Sequence, residues 1–511
     1  MNLNRWISIL VCLSLFLVAT PWSSTPGISS ILSHAKASEL LPEGTRLDTL
    51  EWTQEYVQKI LALEIWESRD SQDAFQLVKR GDFARWLVKA RLLPLKESKH
   101  TFSDLDPSDP NYPYIMTALE AGIIEKTDTF RPKDPLLRAD AGIWLVNTHG
   151  DLAKKRAQEY SEPLIPAQDG YDGIPERAIG ALSTCYAPDY QLMEYRHLSL
   201  DDFRYVQAET PLLTGEAAYS LYQLVYPPQR GGEVVIGLPQ EPRDLFWHLA
   251  FPQINAQLFS LIYEESDRRL DSRWGVFPTL TKRIPTQENG LWKVNYDAQG
   301  NFINMELTFE LRKGLKWSDG SPITADDFVF WRYLYFHPAI FIFPEVRTEE
   351  YYSLDYIEAI DDYTIKTSWN SPFLYCDNIV PLPRKYFEEK YEYHLEPYDL
   401  NNPDYYIPPE YPDNEGYKSE KYLADMEFVR KCNWDELYNK QPLHAGPYKV
   451  TSWIPNKKMI LEANDYFYLG KPLLNKITLN FYQTTNELFD AVLRSEERRV
   501  GKQCRSGWWA D

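Results

Sequence analysis

Leu311-Arg312-Lys313-Gly314-Leu315-Lys316-Trp317-Ser318-Asp319-Gly320-Ser321-Pro322-Ile323-Thr324-Ala325-Asp326-Asp327 decides how the second half of this chain folds. The residues leading into it put Met305, Leu307, Phe309 and Leu311 on one side and Asn304, Glu306, Thr308 and Glu310 on the other, the period-2 pattern of a strand with one buried face. Gly314 and Gly320 then bracket turns, because glycine takes positive φ without a Cβ clash. Thr324 stands where a helix is capped, Asp327 lies three residues on, and both Asp326 and Asp327 favour the positive end of a helix dipole. Phe328, Phe330 and Trp331 follow, so a strand, a tight loop and a capped helix succeed one another. Within the loop, Trp317, Asp319 and Gly320 read as a buried anchor and a turn, not as ligand contacts.

Working outward, Glu233-Val234-Val235-Ile236-Gly237 reads as a strand, and the Pro/Gly cluster from Tyr226 to Gly232 before it reads as a boundary. The cassette resembles the hallmark of family 5 extracellular solute-binding proteins, the peptide and nickel receptors of ABC importers. Further blocks resemble that family in the same order: Asp361-Asp362-Tyr363-Thr364-Ile365-Lys366, Ser371-Pro372-Phe373-Leu374, Gly446-Pro447-Tyr448-Lys449-Val450 with Trp453, Asn464 to Tyr468, and Gly470-Lys471-Pro472. The resemblance implies an α/β, type II periplasmic-binding-protein-like clamshell. Residues 229–493 are expected to form its N-terminal half, with the second lobe largely missing. From Ser495 no helical or strand period continues the domain, and residues 494–511 are expected to be a non-native tail. In the family the first helix after the first strand lines the cleft, which makes Tyr263 the candidate ligand contact, with a plain core tyrosine as the alternative. The Tyr-rich stretch from Tyr391 to Tyr411 reads as an irregular surface insertion, with a sugar-stacking platform as the minority alternative.

The first two hundred residues repeat at an offset of 58, which superposes Tyr56 on Tyr114, Leu61 on Leu119, Arg80 on Arg138, Asp82 on Asp140 and Trp86 on Trp144. Apolar residues inside each unit have helical spacing. Phe102-Ser103-Asp104-Leu105, Ala118-Leu119-Glu120-Ala121-Gly122-Ile123, Phe130-Arg131-Pro132 and Leu137-Arg138-Ala139-Asp140 resemble an S-layer homology domain. The resemblance implies all-α repeats that bind pyruvylated secondary cell-wall polysaccharide, with Arg80, Asp104 and Arg138 as glycan-binding residues. An acid ketal presents a carboxylate that an arginine fork at a helix start can hold bidentately, aided by free backbone N–H groups. The units are expected at 38–98, 99–160 and, in degenerate form, 161–228, where Thr214 stands in place of the family's arginine. Asp104, Asp106 and Asp109 lack the glycine and terminal Glu of a calcium loop, so turn and capping duties are expected of them.

Composition narrows the remaining choices. A chain of 511 residues with 44% hydrophobic and 25% charged content is long enough for two or more packed domains. A formal net charge of −20 argues against nucleic acid as a partner. The five cysteines form no C-x-x-C pair and have no ligand spacing to histidine, so neither a metal site nor a cofactor is expected. Arg5, the apolar run from Ile7 to Ala19, and Ala35-Lys36-Ala37 read as an export signal over residues 1–37, the run falling short of the roughly 20 residues a spanning helix needs. No G-x-S-x-G, H-E-x-x-H or P-loop is present, and no catalytic residues are assigned. The expected function is therefore that of an extracellular, wall-anchored receptor in a Gram-positive-type envelope. It would capture a peptide or small solute and hand it to an ABC transporter permease. The alternative is a wall-anchored glycan-acting enzyme or an oligosaccharide-binding protein.

Overall fold

Helices fill the N-terminal region wherever the apolar residues recur at helical spacing. A computed structural model describes residues 47–197, 204–242, 277–338, 353–372, 379–399, 402–407 and 417–494, with short pieces at 41, 45, 245, 258, 261–264, 267–268 and 376. The expected export signal, and all of the expected tail but Arg494, lie outside the described residues. The N-terminal helices are α1 (Gln54–Ala62), α2 (Arg80–Ala90), α3 (Tyr112–Glu120), α4 (Arg138–His149), α5 (Asp151–Glu159), α6 (Ile179–Tyr186) and α7 (Thr214–Val225). A two-residue antiparallel ladder joins Arg196 and His197 to Tyr205 and Arg204. Val57, Ile60, Phe83, Leu87, Ile115, Leu145, Ala153, Leu182 and Leu221 belong to one buried cluster that runs through all seven of these helices. Helices α2, α4 and α7 each begin after an extended residue, Lys79, Leu137 and Leu213, so the chain turns sharply into all three.

Among the described residues the C-terminal region has two four-stranded sheets. In the first, β1 (Glu233–Leu238) lies parallel to β8 (Lys476–Phe481), and β7 (Lys458–Ala463) and β6 (Tyr448–Ile454) continue it antiparallel in the order β6-β7-β8-β1. The second is antiparallel, in the order β2 (Trp292–Tyr296), β3 (Phe302–Glu310), β5 (Thr364–Trp369), β4 (Leu354–Asp361). Met305, Leu307 and Phe309 on β3 are buried, as the alternation predicts. Pairing of β1 with β8 closes a sequence separation of more than 200 residues, so this sheet needs both ends of the region. Gly446 has no room for a side chain, since an added Cβ would stand 2.6 Å from the Ile262 carbonyl carbon. That close approach is why Gly446-Pro447 precedes β6.

The cassette folds as its residues require. Gly320 (φ +91°) turns the loop, Asp319 Oδ1 accepts from the Ser321 N–H at 2.9 Å, and Trp317 is buried with its N–H donating to the Ser321 carbonyl at 2.8 Å. Helix α8 (Ala325–Phe336) starts at Thr324, and Asp327 closes the cap by accepting from the Thr324 N–H at 3.0 Å. Asp327 also accepts from Trp317 Nε1 at 3.3 Å and from the Arg384 N–H at 3.0 Å. Burial nonetheless pushes its carboxyl up to about 7. Between the unfolded value of about 3.9 and that figure the folded state binds the extra proton, so its stability contribution falls as pH rises from about 4 to about 7. Asp327→Asn is expected to flatten that slope and to cost about 1–2 kcal/mol through loss of the cap. Urea midpoints at pH 4.5 and pH 7.5 check it, and an unchanged slope would overturn it.

In the stretch from Tyr391 to Tyr411 the described residues are largely irregular and exposed or half-buried, as an irregular surface insertion would be, with only Leu395 and Tyr405 buried. Helices α9 (Arg384–Tyr391), α10 (Glu420–Asn433) and α11 (Glu436–Lys440) flank it in the sequence. The Asp425 carboxylate is buried and accepts from Tyr393 Oη at 2.5 Å, Tyr405 Oη at 2.9 Å and Lys421 Nζ at 3.2 Å. Tyr405 stacks on Tyr398, with centroids 5.3 Å apart. One carboxylate on α10 thus satisfies the hydroxyls of Tyr393 and Tyr405, which lets the Tyr405 ring be buried.

Candidate functional site

Three loop ends meet in a closed ring of backbone hydrogen bonds. The Val78 N–H donates to the Leu212 carbonyl at 3.0 Å, the Leu212 N–H to that of Leu136 at 2.8 Å, and the Leu136 N–H to that of Val78 at 2.8 Å. Two residues beyond each, a helix starts: Arg80 opens α2, Arg138 opens α4 and Thr214 opens α7. The next threefold set follows, with Arg80 N–H on the Asp134 carbonyl (3.0 Å), Arg138 N–H on Thr210 (2.9 Å) and Thr214 N–H on Gln76 (2.8 Å). Each helix carries an acid two residues in, Asp82, Asp140 and Glu216, and each arginine reaches the acid of the next helix. Arg80 holds Asp140 at 2.8 Å and Arg138 holds Glu216. Thr214 has no such reach, and Asp82 turns instead to Asn111 Nδ2 at 3.0 Å and Arg85 at 3.3 Å.

The three junctions are chemically unequal. At the first, the Arg80 side chain keeps 14% exposure, donates through Nε to the Phe130 carbonyl at 2.9 Å, and lies 4.9 Å from the Trp144 ring centroid. Arg177, half-exposed on the rim, reaches Asp140 at 3.5 Å and Glu209 at 2.8 Å. Burial depresses the Arg80 pKa against the pull of Asp140, and Arg131 depresses it further. The second junction is closed. Arg138 has no exposed side-chain surface and donates to the Val206 carbonyl at 2.7 Å, Tyr186 Oη at 2.6 Å and the Glu194 carbonyl at 2.5 Å. Arg196, equally buried, binds both oxygens of Glu216 at 2.7 and 2.6 Å. The third junction lacks its arginine.

Asp104 is a loop anchor. Its two oxygens accept from the Phe130 N–H at 2.8 Å and the Arg131 N–H at 2.7 Å, which fixes Arg131 at φ +58°. Asp169 does the same for Val206 (2.6 Å) and Gln207 (2.7 Å), with Gln207 at φ +50°. Asp106 and Asp109 accept from the Ser108 and Asn111 N–H groups at 2.8 Å each, the turn duties expected of them. Sequence reasoning missed Asp169, Arg196 and Glu216. The repeat could have found the first and last, but the offset from Arg138 to Thr214 is 76 and that from Asp104 to Asp169 is 65, so an inserted stretch breaks the register of 58.

In the C-terminal region Tyr263 is buried, and its hydroxyl donates to the Leu245 carbonyl at 2.6 Å. The plain alternative, a core tyrosine, describes that position. An open recess of about 540 Å³ lies elsewhere, lined by Lys390, Tyr391, Trp434, Asp435, Leu437 and Trp453 among others. Lys390 holds Asp435 at 2.5 Å across it, and Trp434 and Leu437 are exposed at its rim.

Residues 304–498 match the family profile of bacterial extracellular solute-binding proteins, family 5 middle, and residues 101–141 match that of the S-layer homology domain. These two stretches are similar to a family 5 solute-binding region and to an S-layer homology domain. The oligopeptide-binding protein AppA of Bacillus subtilis is 26% identical over 266 residues, which cover 51% of this chain and 38% of that protein. Oligopeptide-binding protein OppA of the same organism is 26% identical over 221 residues, covering 39% and 34%. The chain thus spans well under half the length of these relatives. A crystal structure of an oligopeptide-binding protein from Thermus thermophilus, complexed with a pentapeptide, is 21% identical with a TM-score of 0.40, covering 52% of this chain and 43% of that one. The S-layer homology match contains Asp104 and Arg138, and the solute-binding match contains the cassette and helix α10 with Asp425.

Proposed function

We propose that this protein is an extracellular receptor, held at the cell wall by its S-layer homology domain, that captures oligopeptides for the permease of an ABC importer. The observation that carries the reading is the presence of both matched regions on one chain, the second similar to two oligopeptide-binding proteins. No chemistry on the ligand is required, so the protein acts as a binding module and not as an enzyme. The wall ligand is a pyruvylated secondary polysaccharide, and the first junction is its site. There Arg80 retains exposure, the buried Trp144 ring supports its guanidinium from within, and Arg131 and Arg177 add positive charge. Asp104 and Arg138 act through the loops they hold and do not touch the glycan.

Native mass spectrometry of the protein as its host makes it is expected to show bound masses in the oligopeptide range. Isothermal titration with defined oligopeptides is expected to give saturable heat, and incubation with wall glycans to release no fragments. Glycan hydrolysis with no peptide heat would overturn the proposal.

A further inference from the structure

Two folded regions joined by a short linker ordinarily move against one another, because contacts within one chain are small and polar. Here the contact has a feature that mobility does not explain. Arg312, in the loop that identifies the solute-binding region, is 1% exposed. Its Nε donates to the Thr279 carbonyl of its own region at 2.7 Å. Its two terminal nitrogens cross to the N-terminal region, Nη1 to the Pro163 carbonyl at 3.3 Å and Nη2 to that of Ile165 at 3.4 Å.

Around this plug the charges are complementary. Loop residue Glu162 accepts from the Lys313 N–H at 3.2 Å and stands 3.8 Å from Lys282 Nζ. Asp172 accepts from Arg283 Nη1 at 2.6 Å. Tyr171 lies beneath both cations, 5.1 Å from Lys282 and 5.2 Å from Arg283. From the other side Arg204 stacks on Phe277 at 4.5 Å. The geometry points to loop 162–172 of the S-layer homology side as a docking platform for the cassette, so that the two regions form one rigid body.

Orientation, more than affinity, is what the plug fixes. A buried guanidinium tolerates only a partner surface that presents carbonyls where its fork points, and any rotated docking would leave the charge desolvated and unpaired. The carbonyls of Pro163 and Ile165 are held for that purpose, since Ile165 is itself buried in the N-terminal core. Only seven residues, Tyr226 to Gly232, separate α7 from β1, and such a short tether keeps the local concentration of one surface at the other high. A modest interface is then closed nearly all the time. This docking is independent of which ligands either region binds.

Spin labels at Leu152 and Ile303, which are 79% and 52% exposed on opposite regions, report the distance directly. The labels go into an otherwise intact chain with Cys12 and Cys504 replaced by serine, the three described cysteines being buried. A single narrow distance distribution is expected. Glu162→Lys with Asp172→Arg sets like charges against Lys282, Arg283 and Lys313, and is expected to broaden the distribution at least twofold. Adding Lys282→Glu and Arg283→Glu is expected to narrow it again. A broad distribution in the unsubstituted surface, or one that the charge reversals leave narrow, would overturn the proposal.

Discussion

Arg138→Ala is expected to unfold the N-terminal region, or to destabilise it by about 3–5 kcal/mol, with any loss of wall binding following from that. Arg138, Glu216 and Arg196 form a buried triad in which one carboxylate is shared by two guanidiniums. Removing one arginine leaves Glu216 with half its compensation and strips a donor from Tyr186 and from the Val206 carbonyl, while the Glu194 carbonyl keeps only Tyr186 Oη at 3.1 Å. Buried acceptors without donors carry their full desolvation cost. The same triad sets an acid limit. Burial pushes the Glu216 carboxyl up, but Arg138 and Arg196 more than offset it and hold it below its usual range. A depressed carboxylate stabilises the fold above the unfolded value of about 4.3 and loses that contribution as pH falls through the folded value. The N-terminal region is therefore expected to unfold in acid below about pH 4, and Arg138→Ala to move that transition upward. Circular dichroism between pH 2 and 7 checks both, and an Arg138→Ala protein with unchanged melting and acid midpoint would sink the assignment.

How much of this is legible in the sequence depends on the range of each interaction. The strand, loop and capped helix around Leu311 to Asp327 are local, since Thr324 and Asp327 or Asp319 and Ser321 meet within a few residues, and they stand where the pattern puts them. Arg80 and Arg138 are legible as a repeated pair. Their different fates are not, because those are set by residues 40 to 80 positions away: Asp140 and Trp144 at one junction, Tyr186, Glu194 and Glu216 at the other. Asp104 reads from its motif as a ligand-binding acid, yet two backbone N–H groups occupy its carboxylate. Arg312 reads only as part of a family hallmark, and no periodicity could show that two of its acceptors lie 149 and 147 residues earlier. The pairing of Tyr393 and Tyr405 with Asp425 is hidden for the same reason.

Arg80→Ala, by contrast, is expected to fold and to lose the wall. Its guanidinium has a partner in Asp140, which keeps Arg177 when Arg80 is removed, and its partial exposure makes the truncation far less costly than that of Arg138. What goes is a charge-assisted fork, worth about 1.5–3 kcal/mol toward a carboxylate, or roughly 10- to 150-fold in affinity. Because the second junction is sealed and the third has Thr214, there is no other arginine at a helix start to take over among the three junctions. The first junction should then account for nearly all retention. Arg80→Lys keeps the charge but not the bidentate geometry, and is expected to fall between the parent and the alanine variant. Sedimentation with purified sacculi, before and after removal of pyruvyl ketals, measures this. Both the parent on stripped sacculi and Arg80→Ala on intact ones should remain in the supernatant. If Arg80→Ala sediments with intact walls as the parent does while its melting is unchanged, the glycan is held elsewhere on the domain and the single-junction reading fails.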